Sequence, residues 1–223
     1  MTGELVQFER DGIQVSGYLS RPSAAPRAGM IVIQEWWGLN DDIKEIADRY
    51  AAEGYLALAP DMYHGQVASE PDEAMKLAMA LERDRAATEI DAAIGWLKAS
   101  QGVAKVGCVG FCMGGGLTLA TALRPSSGVD AAHVYYGGGM PEGAALSQIR
   151  VPVMGSYGGE DASLPAERVD ELREALTSSG VENDIKLYEG AGHSFFNQGH
   201  AHHPAAAADS WERSKAWFGR HLQ

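Results

Sequence analysis

The chain has 223 residues, of which 45% are hydrophobic and 22% charged, with 18 basic against 30 acidic side chains. This length suits one sizeable core, so we expect a single domain spanning residues 1–223. The net charge of -12 would repel a phosphate backbone or an anionic membrane, which argues against nucleic-acid and membrane partners. The N-terminal residues carry no signal region and no apolar run approaches a membrane span, so we expect a soluble, cytoplasmic protein.

Alternating apolar and polar residues at 5–10 and 13–20 flank Asp11-Gly12, which predicts a β-hairpin. Apolar runs predict further strands at 30–33, 55–59, 106–109, 131–136, 151–157 and 184–188. Periodicity and helix-ending residues predict helices at 41–53, 117–123, 164–178 and 204–221, and either one helix over 70–100 or two with a break near Asp84. In the last helix, Trp211, Trp217 and Phe218 should face inward. Strands that alternate with helices require a mostly parallel, twisted sheet of about eight strands with helices on both faces.

A cysteine framed by glycines follows the strand at 106–109. The segment Gly110-Phe111-Cys112-Met113-Gly114 has the G-x-S-x-G spacing of a nucleophile turn, with cysteine in place of serine. At the start of a helix, unpaired amides and the positive end of the dipole favour a thiolate, so we predict an exposed, reactive Cys112. The alternative is a glycine-rich turn around an inert cysteine. Cys108 should be packed within the strand, and no disulfide framework is expected.

Two further residues follow predicted strands and have the chemistry to activate a cysteine. Asp161 follows the strand ending near Tyr157, and His193 follows the strand ending near Leu187. Because the carboxyl ends of parallel strands meet at one edge, both should lie near Cys112. The chain order of nucleophile, acid and histidine is that of the α/β hydrolases. Glu160 competes with Asp161 for the acid role, and the spacing to the following proline favours Asp161.

An oxyanion site should form from two backbone amides. One belongs to Met113, directly after the cysteine, and the other to the loop after the third strand, where Trp36 lies. Glu35 in that loop is unusual, since a carboxylate there would oppose charge on the reacting oxygen. Glu35 is either a surface acid or a group that hydrogen-bonds the Cys112 thiol at rest and accepts its proton.

These residues together resemble the dienelactone hydrolase family, the cysteine-dependent branch of the α/β hydrolases. Matching segments are Gln34-Glu35-Trp36-Trp37-Gly38-Leu39-Asn40, Gly54-Tyr55 through Pro60-Asp61-Met62-Tyr63, Gly110-Phe111-Cys112-Met113-Gly114-Gly115, Gly158-Gly159-Glu160-Asp161 and Gly190-Ala191-Gly192-His193-Ser194-Phe195. The resemblance implies an α/β-hydrolase fold, with Cys112 as nucleophile, His193 as general base and acid, and Asp161 as its orienting partner. It also implies that Glu35 keeps the thiol protonated until the substrate arrives and displaces the glutamate side chain, which then takes the proton. No cofactor or metal is implied.

The resemblance is incomplete where the substrate should bind. Family members that act on dienelactone carboxylates look to hold the carboxylate with two arginines, one before the long helix and one four residues past the histidine. Here the first region reads Ser69-Glu70-Pro71-Asp72-Glu73 and the second position is Asn197. We expect a small lactone or ester substrate, with Trp37, Tyr63, Phe195 and Asn197 as contacts. The alternative for each of the three aromatic residues is a place in the core. His200, His202 and His203 are interpreted as a polar loop rather than a metal site.

The sequence therefore predicts a monomer or weak homodimer that cleaves a lactone or activated ester through a thioester on Cys112. The alternative is a thiol-based redox or electrophile-sensing protein in which Cys112 is modified without turnover.

Overall fold

The structure, a computed structural model, describes residues 3–138, 143–197 and 199–223. The strands in these ranges are β1 (Glu4–Arg10), β2 (Ile13–Ser20), β3 (Ala28–Ile33), β4 (Tyr55–Pro60), β5 (Val106–Phe111), β6 (Ala131–Tyr135), β7 (Val153–Gly158) and β8 (Asn183–Tyr188). The α-helices are α1 (Asp41–Ala52), α2 (Pro71–Ala80), α3 (Arg83–Gln101), α4 (Met113–Ala122), α5 (Ala166–Ser178) and α6 (Pro204–His221), and short 3-10 turns lie at Pro125–Ser127 and Gly143–Gln148.

The strands form a single sheet of order β1-β2-β4-β3-β5-β6-β7-β8 within the described ranges. β1 pairs antiparallel with β2, and β2 pairs antiparallel with β4. All the other neighbouring pairs are parallel. The predicted α/β class with a mostly parallel sheet of eight strands is confirmed.

Helices cover both faces of the sheet, and β3 shows why its sequence is apolar throughout. Met30 and Val32 belong to the core cluster that contains the buried faces of α1 and α6. Ile31 and Ile33 belong to the cluster on the opposite face, which contains the buried side of α3. Successive side chains of a strand point to opposite faces, so a strand covered on both sides has no polar position.

The long helical pattern over residues 70–100 is two helices, and the break falls at Leu81 and Glu82. Leu81 has ψ 115 and Glu82 has φ -75 and ψ 99, which are extended rather than helical angles. α2 buries only Ala74, whereas α3 buries a full face between Ala86 and Leu97. The first of these helices is therefore held to the protein much more loosely than the second.

Smaller differences from the sequence prediction lie at element ends. α4 begins at Met113, directly after the cysteine, and not at Leu117. In α6, Trp217 and Phe218 are buried as predicted, while Trp211 is half-buried at the edge of the core, with its ring centroid 4.7 Å from that of Tyr50. Among the described residues, no helix combines the length and apolarity needed to cross a membrane.

Candidate active site

Cys112 occupies the turn between β5 and α4 in a strained backbone conformation. Its φ of 54 and ψ of -116 lie in a region that non-glycine residues rarely adopt. The N–H of Cys112 donates to Tyr135 O at 3.1 Å, and the N–H of Gly115 donates to Cys112 O at 3.0 Å. The surrounding strands thus fix a conformation that places the sulfur at the end of the sheet.

The glycines of this turn are needed because backbone segments approach one another closely. A Cβ atom added to Gly110 would lie 2.1 Å from Gly114 O. One added to Gly114 would lie 2.4 Å from Gln34 O, at the end of the neighbouring strand β3. These distances leave no room for a side chain, so the glycines allow the turn to pack against the loop that carries Glu35 and Trp36.

His193 and Asp161 form a close pair at the same end of the sheet. His193 Nδ1 lies 2.6 Å from Asp161 Oδ2, and the side chain of Asp161 is 1% exposed against 31% for that of His193. The N–H and the hydroxyl of Ser163 both donate to the other carboxylate oxygen, Oδ1, at 2.9 and 2.6 Å. Glu160, the competing acid, is exposed. The geometry thus pairs His193 with Asp161 rather than with Glu160.

Glu35 is 5% exposed and is surrounded by hydrogen-bond donors. The Ser194 hydroxyl donates to Oε1 at 3.1 Å, and the side chains of Asn197 and Tyr136 also face the carboxylate. Burial raises the pKa of Glu35, and these donors together with His193 act against that rise. Glu35 is therefore a buried acid whose charged form is partly stabilised by these donors, and not a surface acid.

The surroundings of the Cys112 sulfur disfavour its thiolate form. Burial raises the pKa of the thiol to about 12, the negative charge of Glu35 adds to this effect, and Asp161 contributes further. The backbone N–H groups of Met113 and Trp36 act in the opposite direction. The prediction of an exposed cysteine whose helix start favours a thiolate is wrong, because the sulfur is partly buried and desolvation and nearby carboxylates outweigh the helix dipole. Cys108 is fully buried, as predicted.

Glu35 and the thiol interact through charge. In the described part of the chain, the hydrogen bonds of the Glu35 carboxylate come from other groups, and the thiol–carboxylate bond expected from sequence is not among them. The amides of Met113 and Trp36, the two predicted oxyanion donors, both face the sulfur. An oxygen bonded to a carbon that the sulfur attacks would lie near the same two donors.

A cavity of about 1170 Å³ opens over these groups. Its wall includes the predicted residues Cys112, His193, Asp161, Glu35, Trp36, Met113, Trp37 and Asn197. Two predicted substrate contacts lie elsewhere. Phe195 is fully buried against Tyr135, Tyr136 and Tyr188, and Tyr63 is buried beneath Met113, to whose sulfur its hydroxyl donates at 3.3 Å. Both therefore support the wall from behind and do not line it.

The cavity wall also contains a positively charged side chain that was not predicted from the sequence. Arg83, the first residue of α3, is exposed on this wall and has no hydrogen bond or ion pair within the described ranges. Neither of the two positions where the family was expected to carry an arginine has one in this sequence. Arg83 reaches the cavity because the helical stretch breaks at Leu81 and Glu82, and this break could not be placed from periodicity alone.

Ser163, Ser194 and Tyr136 are the other contributors that sequence reasoning missed. Ser194 directly follows His193, so its position was a usable signal, but its contact with Glu35 depends on a backbone φ of 60. The histidine-rich loop has mixed roles. His203 Nδ1 accepts from the N–H of Ala206 at 3.2 Å and caps α6, while His200 lies on the cavity wall. Across residues 3–138, 143–197 and 199–223, no three His, Cys, Asp or Glu side chains are grouped as metal ligands would be.

The sheet order and the strained turn ahead of α4 define an α/β hydrolase. Comparisons with known proteins then give the family: the model of the dienelactone hydrolase family matches residues 15–222, and the chain belongs to this family.

Relatives match over nearly their whole length. The chain is 34% identical to protein usf of Aquifex pyrophilus, covering 99% of each sequence. It is 33% identical to a protein of Aquifex aeolicus named "Putative carboxymethylenebutenolidase", covering 99% of this chain and 100% of that one. A crystal structure from Klebsiella pneumoniae, titled as a "Putative Dienelactone Hydrolase", is 28% identical, with a TM-score of 0.86 and 98% of each chain covered.

Proposed function

We propose that this protein hydrolyses a lactone or an activated ester through a thioester on Cys112. The observation that carries the proposal is that Cys112, in a strained turn, shares one cavity with a His193–Asp161 pair bonded at 2.6 Å. The sulfur supplies a nucleophile, the imidazole a base, and the buried carboxylate an orienting partner.

The first step must generate the thiolate, because the resting thiol has a pKa raised to about 12. Glu35 is the nearby acceptor: its carboxylate takes the proton, which removes the negative charge that opposed ionisation of the sulfur. The thiolate then attacks the carbonyl carbon, and the amides of Met113 and Trp36 stabilise the oxyanion. When the carbon–oxygen bond breaks, the leaving oxygen receives the proton that Glu35 took, and a thioester remains on Cys112.

Hydrolysis of the thioester needs a base for water. The bond from His193 Nδ1–H to Asp161 leaves Nε2 as the free, basic nitrogen of the ring. Nε2 takes a proton from water, the resulting hydroxide attacks the thioester, and the carbon–sulfur bond breaks. The imidazolium then returns its proton to the sulfur, so that thiol, imidazole and carboxylate are restored.

The substrate is expected to have a good leaving group. The tetrahedral intermediate can expel either the Cys112 sulfur, which regenerates the substrate, or the oxygen of the substrate's leaving group. Because a thiolate is expelled more readily than an alkoxide, the reaction goes forward only when the leaving group is good. Enol lactones and similarly activated acyl groups therefore suit this site better than fats or peptides. Arg83 on the cavity wall could pair with an anionic group of such a substrate. Trp37 and Asn197 remain proposed contacts. We still predict that the protein is cytoplasmic and that it acts as a monomer or weak homodimer.

The test is turnover of p-nitrophenyl acetate and of lactones by the wild type and by Cys112→Ala. We expect continuous release by the wild type, none by the variant, and an acetyl group on Cys112 that intact mass spectrometry detects after rapid acid quenching. Full activity of a folded Cys112→Ala protein would overturn the mechanism. A single stoichiometric burst from the wild type, with no later turnover, would instead favour the thiol-sensing alternative.

A further inference from the structure

Tyr136 lies at the centre of the site without having a role in the mechanism above. It directly follows β6, is 0% exposed, and has a φ of 35, which is strained for an aromatic residue. Its N–H donates to Ser156 O at 2.8 Å. Its ring centroid is 5.1 Å from that of His193 and 5.3 Å from that of Phe195. The fold thus holds this ring against the catalytic loop at a conformational cost.

The hydroxyl of Tyr136 is buried and has no hydrogen-bond partner at bonding distance. The groups whose charges act on it are Glu35, Tyr135 and Cys112, and Glu35 is the largest of these contributors. It faces the Glu35 carboxylate and stabilises the charged form of that group from a longer range. Burying a hydroxyl without a hydrogen-bond partner destabilises a fold, so its retention here calls for an explanation.

We propose that Tyr136 is a positioning residue that restrains the Cys112 thiol: its hydroxyl faces Glu35, favours the charged carboxylate, and so keeps the neighbouring thiol protonated until substrate is bound. The inference rests on the proposed roles of Cys112 and Glu35. It adds Tyr136 to the restraint on the sulfur that the mechanism above assigns to Glu35 alone.

The direction of the expected change in Cys112 reactivity follows from the groups that surround Glu35 and Cys112. Glu35 is faced by Ser194, Asn197, His193 and Tyr136, all of which favour its charged form. A charged Glu35 in turn raises the pKa of the Cys112 thiol. Removing one donor makes Glu35 easier to protonate, which weakens the negative field at the sulfur. The thiolate population of the free enzyme then rises at a given pH.

The experiment measures the rate at which iodoacetamide alkylates Cys112 in Tyr136→Phe, with peptide mass mapping to separate Cys112 from the buried Cys108. We expect alkylation roughly threefold faster than in the wild type or more, which corresponds to a fall of about half a unit in the thiol's apparent pKa. The pH profile of alkylation should move to lower pH. The melting temperature should be unchanged or higher, because the variant removes an unpaired polar atom.

Tyr135→Phe is the matched control. Tyr135 is equally buried and its hydroxyl is also unpaired, but the charges that act on it come from Tyr50, Tyr188 and Arg49 and not from Glu35. Alkylation in this control should match the wild type. In a Glu35→Gln background, Tyr136→Phe should produce no further change, because the charge through which the hydroxyl acts is gone.

Unchanged alkylation in Tyr136→Phe, or the same acceleration with and without Glu35, would overturn the inference. Turnover by Cys112→Ala is measured separately. If Cys112→Ala is inactive while Tyr136→Phe is alkylated at the wild-type rate, the role inferred for Tyr136 is wrong and the proposed function stands. If Cys112→Ala is fully active, the proposed function fails whatever the alkylation rates are.

Discussion

Asp161→Asn should remove most of the activity while leaving the fold in place. Asp161 Oδ1 accepts from the N–H and the hydroxyl of Ser163, at 2.9 and 2.6 Å, and Oδ2 lies 2.6 Å from His193 Nδ1. In the variant, the Ser163 N–H still needs an acceptor, so the amide oxygen should take the Oδ1 position. The amide NH2 would then point at His193.

That arrangement forces the wrong tautomer on the imidazole. With an NH2 donor opposite Nδ1, this nitrogen must accept, so the proton moves to Nε2 and the base that activates water is lost. The developing imidazolium also loses its negative partner. The equivalent change in a serine triad lowers kcat about 10⁴-fold, and we expect a loss of about 10³-fold to 10⁴-fold here.

The assay is kcat/KM for p-nitrophenyl acetate as a function of pH, together with the melting temperature. A loss of less than about tenfold in a folded variant would refute the reasoning, because removing the orienting charge should cost far more. Glu160→Gln is the matched control: it removes the exposed neighbouring carboxylate and should leave most of the activity. A larger loss in Glu160→Gln than in Asp161→Asn would show that the wrong acid has been assigned.

Three further predictions test other parts of the structure. Arg83→Gln should raise KM roughly twofold to fivefold for a lactone with a free carboxylate, as expected for an exposed ion pair, and leave KM for a neutral ester unchanged; equal effects on both substrates would contradict the assignment. Gly110→Ala should lower the free energy of unfolding by about 3 kcal/mol in urea titrations, since its Cβ would lie 2.1 Å from Gly114 O, whereas Gly138→Ala, with nothing within 4 Å, should not; similar values for both would disprove the packing argument. Burial lowers the pKa of His133 well below 6.5, so the unfolded state binds more protons and stability falls as pH drops through 6.5. Between pH 6.5 and 5.5 this group should contribute about 1 kcal/mol of loss, and a His133→Asn variant with the same acid sensitivity as the wild type would refute it.

Much of the site could be predicted because its residues lie in short segments with fixed local chemistry. The glycines around Cys112 are required by close backbone approaches that any such turn needs. The cysteine, the aspartate and the histidine each follow a strand, and they lie close together because parallel strands end at the same edge of the sheet. Tyr63 and Phe195 show the limit of this reasoning. Both sit in matching segments, yet whether an aromatic ring faces a cavity or the core depends on neighbours that are distant in sequence.

The sequence by itself determined the α/β class, the eight strands and the order of the candidate catalytic residues, because periodicity and turn chemistry act over a few neighbouring residues. Only the tertiary structure decided that the pKa of the Cys112 thiol is raised, because the shift depends on how deeply the sulfur is buried and on the nearby charge of Glu35. It also decided that Arg83 reaches the cavity and that the Tyr136 hydroxyl faces Glu35. Desolvation and charge interactions depend on distances in space, and these exist only once segments far apart in the chain have packed together.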